Sequence, residues 1–434
     1  MSCVGVVRYE GRESIEKAIS MSGAFDGIKA GDRVFVKPNI VFWSHVVQMP
    51  PFGVITTTEV AEAVIRLLSD MGAGEIVVGE TPMSTDPKVN VAERAFEALG
   101  YNEFKKRYGI RTLDILEGEF EDVELDGEVF GFSKALLEAD AVVSLPVLKT
   151  HAQTRVSLGI KNLKGCLDAK SRKRFHSDSV AKDLSHYVGL LSRVHPNTCV
   201  VTDGIYTLEK GPGFTGRARR SDLILASKDI LAADMVGARL LGFSPDEIDH
   251  LASSAAMAGK RDDGSWIETR GLDVQEASAP HKWDFPYSED GALPANMAKA
   301  GVCGLNFPKY DHSLCTYCSS IMGLLQFGIG AAYKGEPFDN VEVLTGKMRE
   351  PTPEKRHTVL LGKCQVLKNR KHPNINHAIA VPGCPPDLSK LVGGMREAGI
   401  EMDENLFAGF DYAPAMFMGQ YEGRDEFSLS LYAL

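Results

Sequence analysis

Several protein classes are excluded by what this sequence lacks. No apolar run approaches the ~20 residues that a helix needs to cross a bilayer, so no membrane partner is expected. The opening Met-Ser-Cys-Val-Gly-Val-Val-Arg-Tyr reads as a strand and has neither the charged n-region nor the apolar h-region of a signal peptide, which makes the cytoplasm the expected location. Eight cysteines in 434 residues are too few for a disulfide scaffold. In a reducing compartment, clustered thiols more often hold metal or do chemistry. Basic residues are in deficit, 48 against 58 acidic, and aromatics are not interleaved with them. Nucleic acid is therefore not an expected partner. Neither a phosphate-cradling P-loop nor a dinucleotide fingerprint is present. The glycine-rich turn Gly211-Pro212-Gly213-Phe214-Thr215-Gly216 has the wrong spacing for either, and no helix pattern follows it at once. Gly211 and Gly213 at most let backbone amides approach an anion.

What is present is an alternation of short β-branched runs with amphipathic helical patterns through the first two hundred residues. It predicts an α/β fold with a largely parallel sheet and helices on both faces. Strands are expected at Arg33–Asn39, Glu75–Glu80, Ala139–Val143, Thr198–Ile205 and Ser221–Asp229. Helices are expected at Thr56–Gly72, with Thr56 and Glu59 as a capping box, and at Asn90–Leu99, Val180–Arg193 and Leu231–Leu241. The rhythm fails after Gly259, where Gly, Asp, Ser and Pro accumulate. This places a first domain at 1–260, a connecting region at 261–293, and a smaller carboxyl-terminal α/β domain at 294–434.

Charged residues recur where these strands end: Lys37 and Asn39, Glu80, Lys149 and His151, Asp203, and Asp229. Open α/β sheets bind ligands outside the carboxyl ends of their strands, so such residues converge on one rim if the strands share a sheet. Between Lys149 and Arg174 there are eight Lys or Arg and one acid, Asp168. A local positive field on an acidic chain suits an anionic small molecule. Lys149, Lys161 and Lys164 are the candidates to neutralise it, and Lys37, Asn39, Glu80, Asn162 and Asp203 the candidates to position it. Lys149 and Lys161 are also candidate catalytic residues, with His151 as general acid or base because an unperturbed imidazole titrates near neutrality. His176 is a second choice for proton transfer.

Five of the eight cysteines follow residue 300. Cys315-Thr-Tyr-Cys318 is expected to open a helix, followed by an apolar helix within Ser319–Tyr333. Cys364 and Cys384 are expected to end strands. Four thiolates on the rim of a small parallel sheet can hold a 4Fe-4S cluster or a structural zinc. The Cys384-Pro385 step and the lack of a second Cys-x-x-Cys favour the cluster. Cys303 and His312 are reserve ligands.

The set Val-Lys37-Pro38-Asn39, Leu-Lys149-Thr150-His151, Lys161-Asn162-Leu163-Lys164-Gly165, Thr-Asp203-Gly204-Ile205 and Gly211-Pro212 resembles domain-of-unknown-function family 362 over roughly residues 30–255. The resemblance implies association with iron-sulfur clusters but no settled reaction. Many members carry a ferredoxin insert with repeated Cys-x-x-Cys-x-x-Cys runs, which this chain lacks, so a two-cluster relay is not carried over. The layout is also similar to that of the nickel-pincer lactate racemase family, in which Lys and His at strand ends work on a hydroxy acid; its cofactor is not carried over. The expected function is a cytoplasmic 4Fe-4S oxidoreductase acting on an anionic small molecule. The alternatives are an electron carrier docking an acidic redox protein, or a non-redox lyase or isomerase using Lys and His.

Overall fold

The computed structural model describes residues 1–82, 89–405 and 410–433. The chain divides into two compact units, one made of 1–172, 185–284 and 414–434, the other of 173–184 and 285–413.

The first unit is built on β1 (Ser2–Arg8), β2 (Arg33–Pro38), β3 (Glu75–Glu80), β4 (Arg111–Asp114), a separate hairpin of β5 (Phe120–Leu125) and β6 (Glu128–Ser133), then β7 (Ala141–Leu145), β8 (Val147–His151), β9 (Arg155–Ser157), β10 (Thr198–Glu209), β11 (Arg217–Ser227) and β12 (Ile267–Gly271). The large sheet runs β12-β1-β11-β10-β7-β2-β3-β4, with β8 attached to β10 and β9 to β8. Its centre is parallel: β10 to β7, β7 to β2, β2 to β3 and β3 to β4. Every residue of β7 is buried, as a strand covered on both faces requires. The helix Thr58–Asp70 lays Val60, Val64 and Leu68 into the core beside Val34 and Val36 of β2. No helix among the described residues is long and apolar enough to cross a membrane.

Four expectations need correction. The helix 58–70 is capped by Thr57, whose side chain accepts from the Val60 amide, and not by Thr56. The chain does not leave the sheet after the strand expected at Ala139–Val143: β8 continues and carries Lys149, Thr150 and His151 as strand residues paired to β10 and β9. Nor does the strand expected from Thr198 end around Asp203, since β10 shifts register between Gly204 and Tyr206 and runs on to Glu209. Asp229 does not join the shared rim. β11 is antiparallel to β10, with Ser227 opposite Val200, so its exit lies at the other end of the sheet, where Asp229 caps the helix Ile230–Leu240 through the Leu231 and Ala232 amides.

The expected domain limits also shift. Part of the 261–293 stretch forms β12, a parallel edge strand on β1. Ile267 is its one apolar residue, so no alternation marked it as a strand. The last residues, expected with the carboxyl-terminal domain, belong to the first unit, where Tyr421, Phe427 and Tyr432 pack edge-on against Phe52 at 5.1, 5.0 and 5.9 Å. Ring contacts between residues so far apart in sequence leave no periodic trace.

The second unit holds a four-stranded parallel sheet in the order β13 (Leu305–Asn306), β14 (Val341–Leu344), β15 (His357–Leu361) and β16 (Ala378–Val381). Its core takes Val341, Val343, Val359, Leu361, Ile379 and Val381 from the strands, and Leu325 and Ile329 from the helix Met322–Ala332.

Candidate functional site

Parallel pairing of β10, β7, β2 and β3 brings their carboxyl ends to one rim, and five of the expected residues, Lys37, Asn39, Glu80, Lys149 and Asn162, form a single buried network there. Lys37 Nζ lies 2.7 Å from Glu80 Oε1, with the two side chains 1% and 2% exposed. The same amine donates to the Pro38 carbonyl at 2.8 Å. Glu80 accepts from the amides of Ile40 at 2.6 Å and Thr81 at 2.8 Å. A buried ion pair persists only when its polar atoms find partners, and here both Glu80 oxygens accept backbone amides while the Lys37 amine has Glu80 and the Pro38 carbonyl. Gly165 makes the packing possible, because a Cβ there would stand 2.7 Å from Lys37 Cε and 3.0 Å from its Nζ.

Lys149 Nζ donates to Asn39 Oδ1 and to the Val54 carbonyl, both at 2.6 Å, and reaches the Pro212 carbonyl at 3.4 Å. The glycine-rich turn thus comes to the site through its proline carbonyl. Gly211 supplies close approach, since its added Cβ would meet the Thr150 carbonyl oxygen at 2.3 Å, while nothing crowds Gly213. Asn39 passes its amide to Asn162 Oδ1 at 3.1 Å, and Asn162 donates to the Lys37 carbonyl and to Ser144 Oγ at 2.8 and 3.1 Å. Burial, with Lys37 reinforcing it and Glu80 opposing it, pushes the Lys149 amine down to about 7.

Asp203 has both carboxylate oxygens engaged, Oδ2 by the Thr57 amide at 2.7 Å and Oδ1 by the Ile205 amide at 3.1 Å. Burial raises its pKa and those amides oppose the rise. Asp203 therefore anchors the start of the helix Thr58–Asp70 to β10. His151, two residues beyond Lys149 and so on the same face of β8, is buried and accepts the Gln153 amide on Nδ1 at 3.1 Å. That bond leaves the neutral ring's proton on Nε2.

Lys161 differs from the rest. It lies on the short helix Gly159–Asn162, partly buried, with no hydrogen-bond or ion-pair partner among the described residues. Burial and the charges of Lys164 and Lys149 hold its amine well below the usual lysine range. The helix is positioned by Asp234, whose carboxylate accepts from the Gly159 and Ile160 amides at 2.7 and 2.8 Å. Burial raises Asp234 to about 7. A carboxyl raised on folding stabilises fully below its unfolded pKa near 4, and that contribution is lost as pH rises through about 7. Stability of the first unit should therefore fall between pH 4 and 7, and Asp234→Asn should flatten that slope; urea midpoints at the two pH values for both proteins test this.

Sequence reasoning missed Thr56, Ser144, Asp234 and Gly165. Thr56 Oγ1 accepts the Asn39 amide at 2.8 Å and donates to the Leu145 carbonyl at 2.7 Å. Hydroxyls that tie backbone to backbone carry no sequence signature. Two cavities lie away from this rim. One of about 540 Å³ is lined by Glu209, Arg217, Arg219, Arg220, Arg424 and Glu426. Arg219 pairs with Glu209, Arg220 with Asp222 and Arg424 with Glu426, each at 2.5 Å, so those guanidinium groups already serve the protein's own carboxylates. The other, of about 190 Å³, shares Arg219 and Arg220.

In the second unit, Cys315 precedes the short helix Thr316–Ser319 that contains Cys318. β15 ends at Leu361 and β16 at Val381, so Cys364 falls in the first turn of the helix Lys363–Asn369 and not at a strand end as expected, while Cys384 lies three residues past its strand. Neighbouring parallel strands bring these exits together: Lys363 N donates to the Gly383 carbonyl at 2.8 Å, and a Cβ on Gly362 would meet Cys318 Sγ at 3.3 Å. Cys318 is hydrogen bonded with Cys315, and this bond, burial and the charges of Cys315, Cys384 and Cys364 raise its pKa. Burial raises Cys364, which Lys347 and Lys363 oppose and Cys315 and Cys384 reinforce. Among the described residues, no three His, Cys, Asp or Glu close around a point that could hold a metal ion. Cys303 lies apart, with Sγ 3.5 Å from the Tyr333 hydroxyl, and His312 accepts through its backbone carbonyl from His176 Nδ1 at 2.9 Å.

The first unit is thus an α/β domain with a buried lysine-carboxylate-amide network at the carboxyl rim of a mainly parallel sheet. Residues 34–239 of the chain match the family described as "Domain of unknown function (DUF362)", as the lysine motifs led one to expect. The thylakoid-associated protein sll1697 of Synechocystis sp. is 29% identical over 244 residues, which make up 55% of this chain and 71% of that protein. A lactate racemase apoprotein from Thermoanaerobacterium thermosaccharolyticum aligns at 10% identity and a TM-score of 0.35, over 56% of this chain and 57% of that one. The chain accordingly spans less than two thirds of that solved structure.

Proposed function

We propose that the protein is a cytoplasmic iron-sulfur oxidoreductase whose first unit binds an anionic small molecule at Lys161 and whose second unit holds a 4Fe-4S cluster on Cys315, Cys318, Cys364 and Cys384. The observation that carries the pocket is the crowding of Lys149, Lys161 and Lys164 around a rim whose nearby carboxylate, Glu80, is already paired with Lys37. An anion beside Lys161 relieves that repulsion and favours its charged form. Lys37, Glu80, Asn39 and Asn162 hold the frame, and Lys149, titrating near neutrality, and His151 can exchange protons with the bound molecule.

The donor set of the second unit fits a cluster. Four thiols from three chain segments affect one another electrostatically, with Lys347 and Lys363 placed to offset the negative charge of four thiolates. A single zinc draws its sulfurs to about 3.8 Å apart, from Zn–S bonds of about 2.3 Å. A four-iron cluster spreads its ligands wider. Bound there, a cluster with four cysteine ligands would pass electrons.

Protein purified without oxygen should contain about four irons and four sulfides per chain and absorb in the visible. Cys364→Ser with Cys384→Ser should lose both, while Lys161→Met should keep both. Zinc in place of iron would end the redox reading. The Lys149 amine near neutrality favours a second reading, a lyase or isomerase using lysine acid-base chemistry, and turnover surviving removal of the iron would select it.

A further inference from the structure

β10 and β11 fall out of step at one point. Gly204 pairs with Leu223 and Tyr206 with Arg220, so Ser221 and Asp222 together face Ile205. Such a bulge bends its strand and re-aims the side chain it carries. Here Asp222 takes a φ of 50°, and the partly buried Ser221 brings its hydroxyl to Thr207 of β10, with the two oxygens 2.8 Å apart.

Thr207 Oγ1 is in turn 2.7 Å from Nε2 of His281, whose other ring nitrogen, Nδ1, lies 2.5 Å from the Ala279 carbonyl. The last contact fixes the direction of the others. A carbonyl only accepts, so the ring proton sits on Nδ1 and Nε2 offers a lone pair. Thr207 has one hydroxyl proton and gives it to Nε2, so the bond between the two hydroxyls is donated by Ser221. Burial lowers the His281 pKa, with Arg219 reinforcing it and the Ala279 carbonyl and Glu209 opposing it, which keeps the ring a neutral base. The ring is held from the main chain, since the Ala279 and His281 amides donate to the Leu240 and Leu241 carbonyls, both at 2.9 Å.

These three side chains line the cavity of about 190 Å³ together with Arg8, Arg219 and Arg220. Arg219 is paired with Glu209 and Arg220 with Asp222. Arg8 has no carboxylate partner among the described residues, and its guanidinium lies beside the serine, donating to the Ser221 carbonyl at 3.0 Å.

We propose that Ser221 is a nucleophile that takes the acyl group of a small ester bearing a carboxylate, with Thr207 and His281 as its proton relay and Arg8 as the partner of that carboxylate. Ser221 Oγ bonds to the acyl carbon as its own proton passes to Thr207 and that of Thr207 to His281 Nε2. The ester C–O bond breaks, and the leaving alcohol takes the proton back by the reverse route. Water then adds to the acyl-serine through the same relay, and the acid departs. The activity is separate from the lysine rim and from the iron-sulfur reading.

The test treats the full-length protein with the p-nitrophenyl monoester of glutaric acid, following nitrophenolate release and locating the glutaryl group by peptide mass spectrometry. The group should be found on Ser221, and Ser221→Ala should release nitrophenolate no faster than buffer. Thr207→Val should slow acylation of Ser221 by about 100-fold, the usual scale for losing a general base, and Thr207→Ser should restore it. His281→Gln still accepts a bond from Thr207 but takes no proton, so it should match Thr207→Val and serves in its place if that variant does not melt as a folded protein. p-Nitrophenyl butyrate, which lacks the carboxylate, should react several-fold more slowly, and Arg8→Met should erase the difference. No glutaryl group on Ser221, or unchanged acylation in a folded Thr207→Val or His281→Gln variant, would overturn the proposal. Equal rates for the two esters in the wild type would overturn the roles of the carboxylate and of Arg8.

Discussion

Glu80→Gln should destabilise the first unit by about 3–5 kcal/mol, the usual consequence of removing one member of a buried ion pair while its partner stays buried. Lys37 would remain 1% exposed without an opposite charge, and one of the Ile40 and Thr81 amides would face an NH2 donor in place of a carboxylate oxygen. For a unit of this size that corresponds to a fall of ~10 °C in melting temperature. Lys37→Met combined with Glu80→Leu should recover much of the loss, because an apolar pair in place of a buried ion pair is often nearly neutral. If the single variant melts with the wild type, the pair is not the frame of the site.

Lys161→Met should have the opposite profile. The amine makes no bond among the described residues, so its removal should leave the melting temperature unchanged or raise it, since an amine held below its usual pKa by burial is being replaced by an apolar group. Oxyanion binding, measured by calorimetry with oxalate or phosphate, should weaken by ~100-fold, about 3 kcal/mol, as for truncating one partner of a buried charged contact. A variant that binds normally, or one that unfolds, would contradict the separation between frame and ligand contact. The contrast between the two substitutions is the practical signature of a rim where most polar groups are spent on one another and Lys161 is not.

The core strands were legible because β-branched runs such as Ala141-Val142-Val143 have no place outside a doubly covered sheet. The convergence of Lys37, Asn39, Glu80 and Lys149 followed from the same logic, since parallel strands share a rim. Asp229 was misplaced because a strand's direction is not written in its own residues; β11 runs antiparallel, and its polar exit looks like any other. The continuation of β8 through Lys149-Thr150-His151 was hidden by the charges themselves, which a strand tolerates there only because tertiary partners satisfy them. The turn from β15 into the helix Lys363–Asn369, which puts Cys364 on a helix, was not legible, because it depends on Gly362 at a φ of 92°.

Anaerobically grown crystals, with anomalous data collected on either side of the iron edge, give the most direct test of the account. It predicts one compact iron peak bounded by the Sγ atoms of Cys315, Cys318, Cys364 and Cys384, and ligand density against Lys161 when the crystals are soaked in an oxyanion. Four sulfurs without iron between them, or a peak only at the zinc edge, would contradict it.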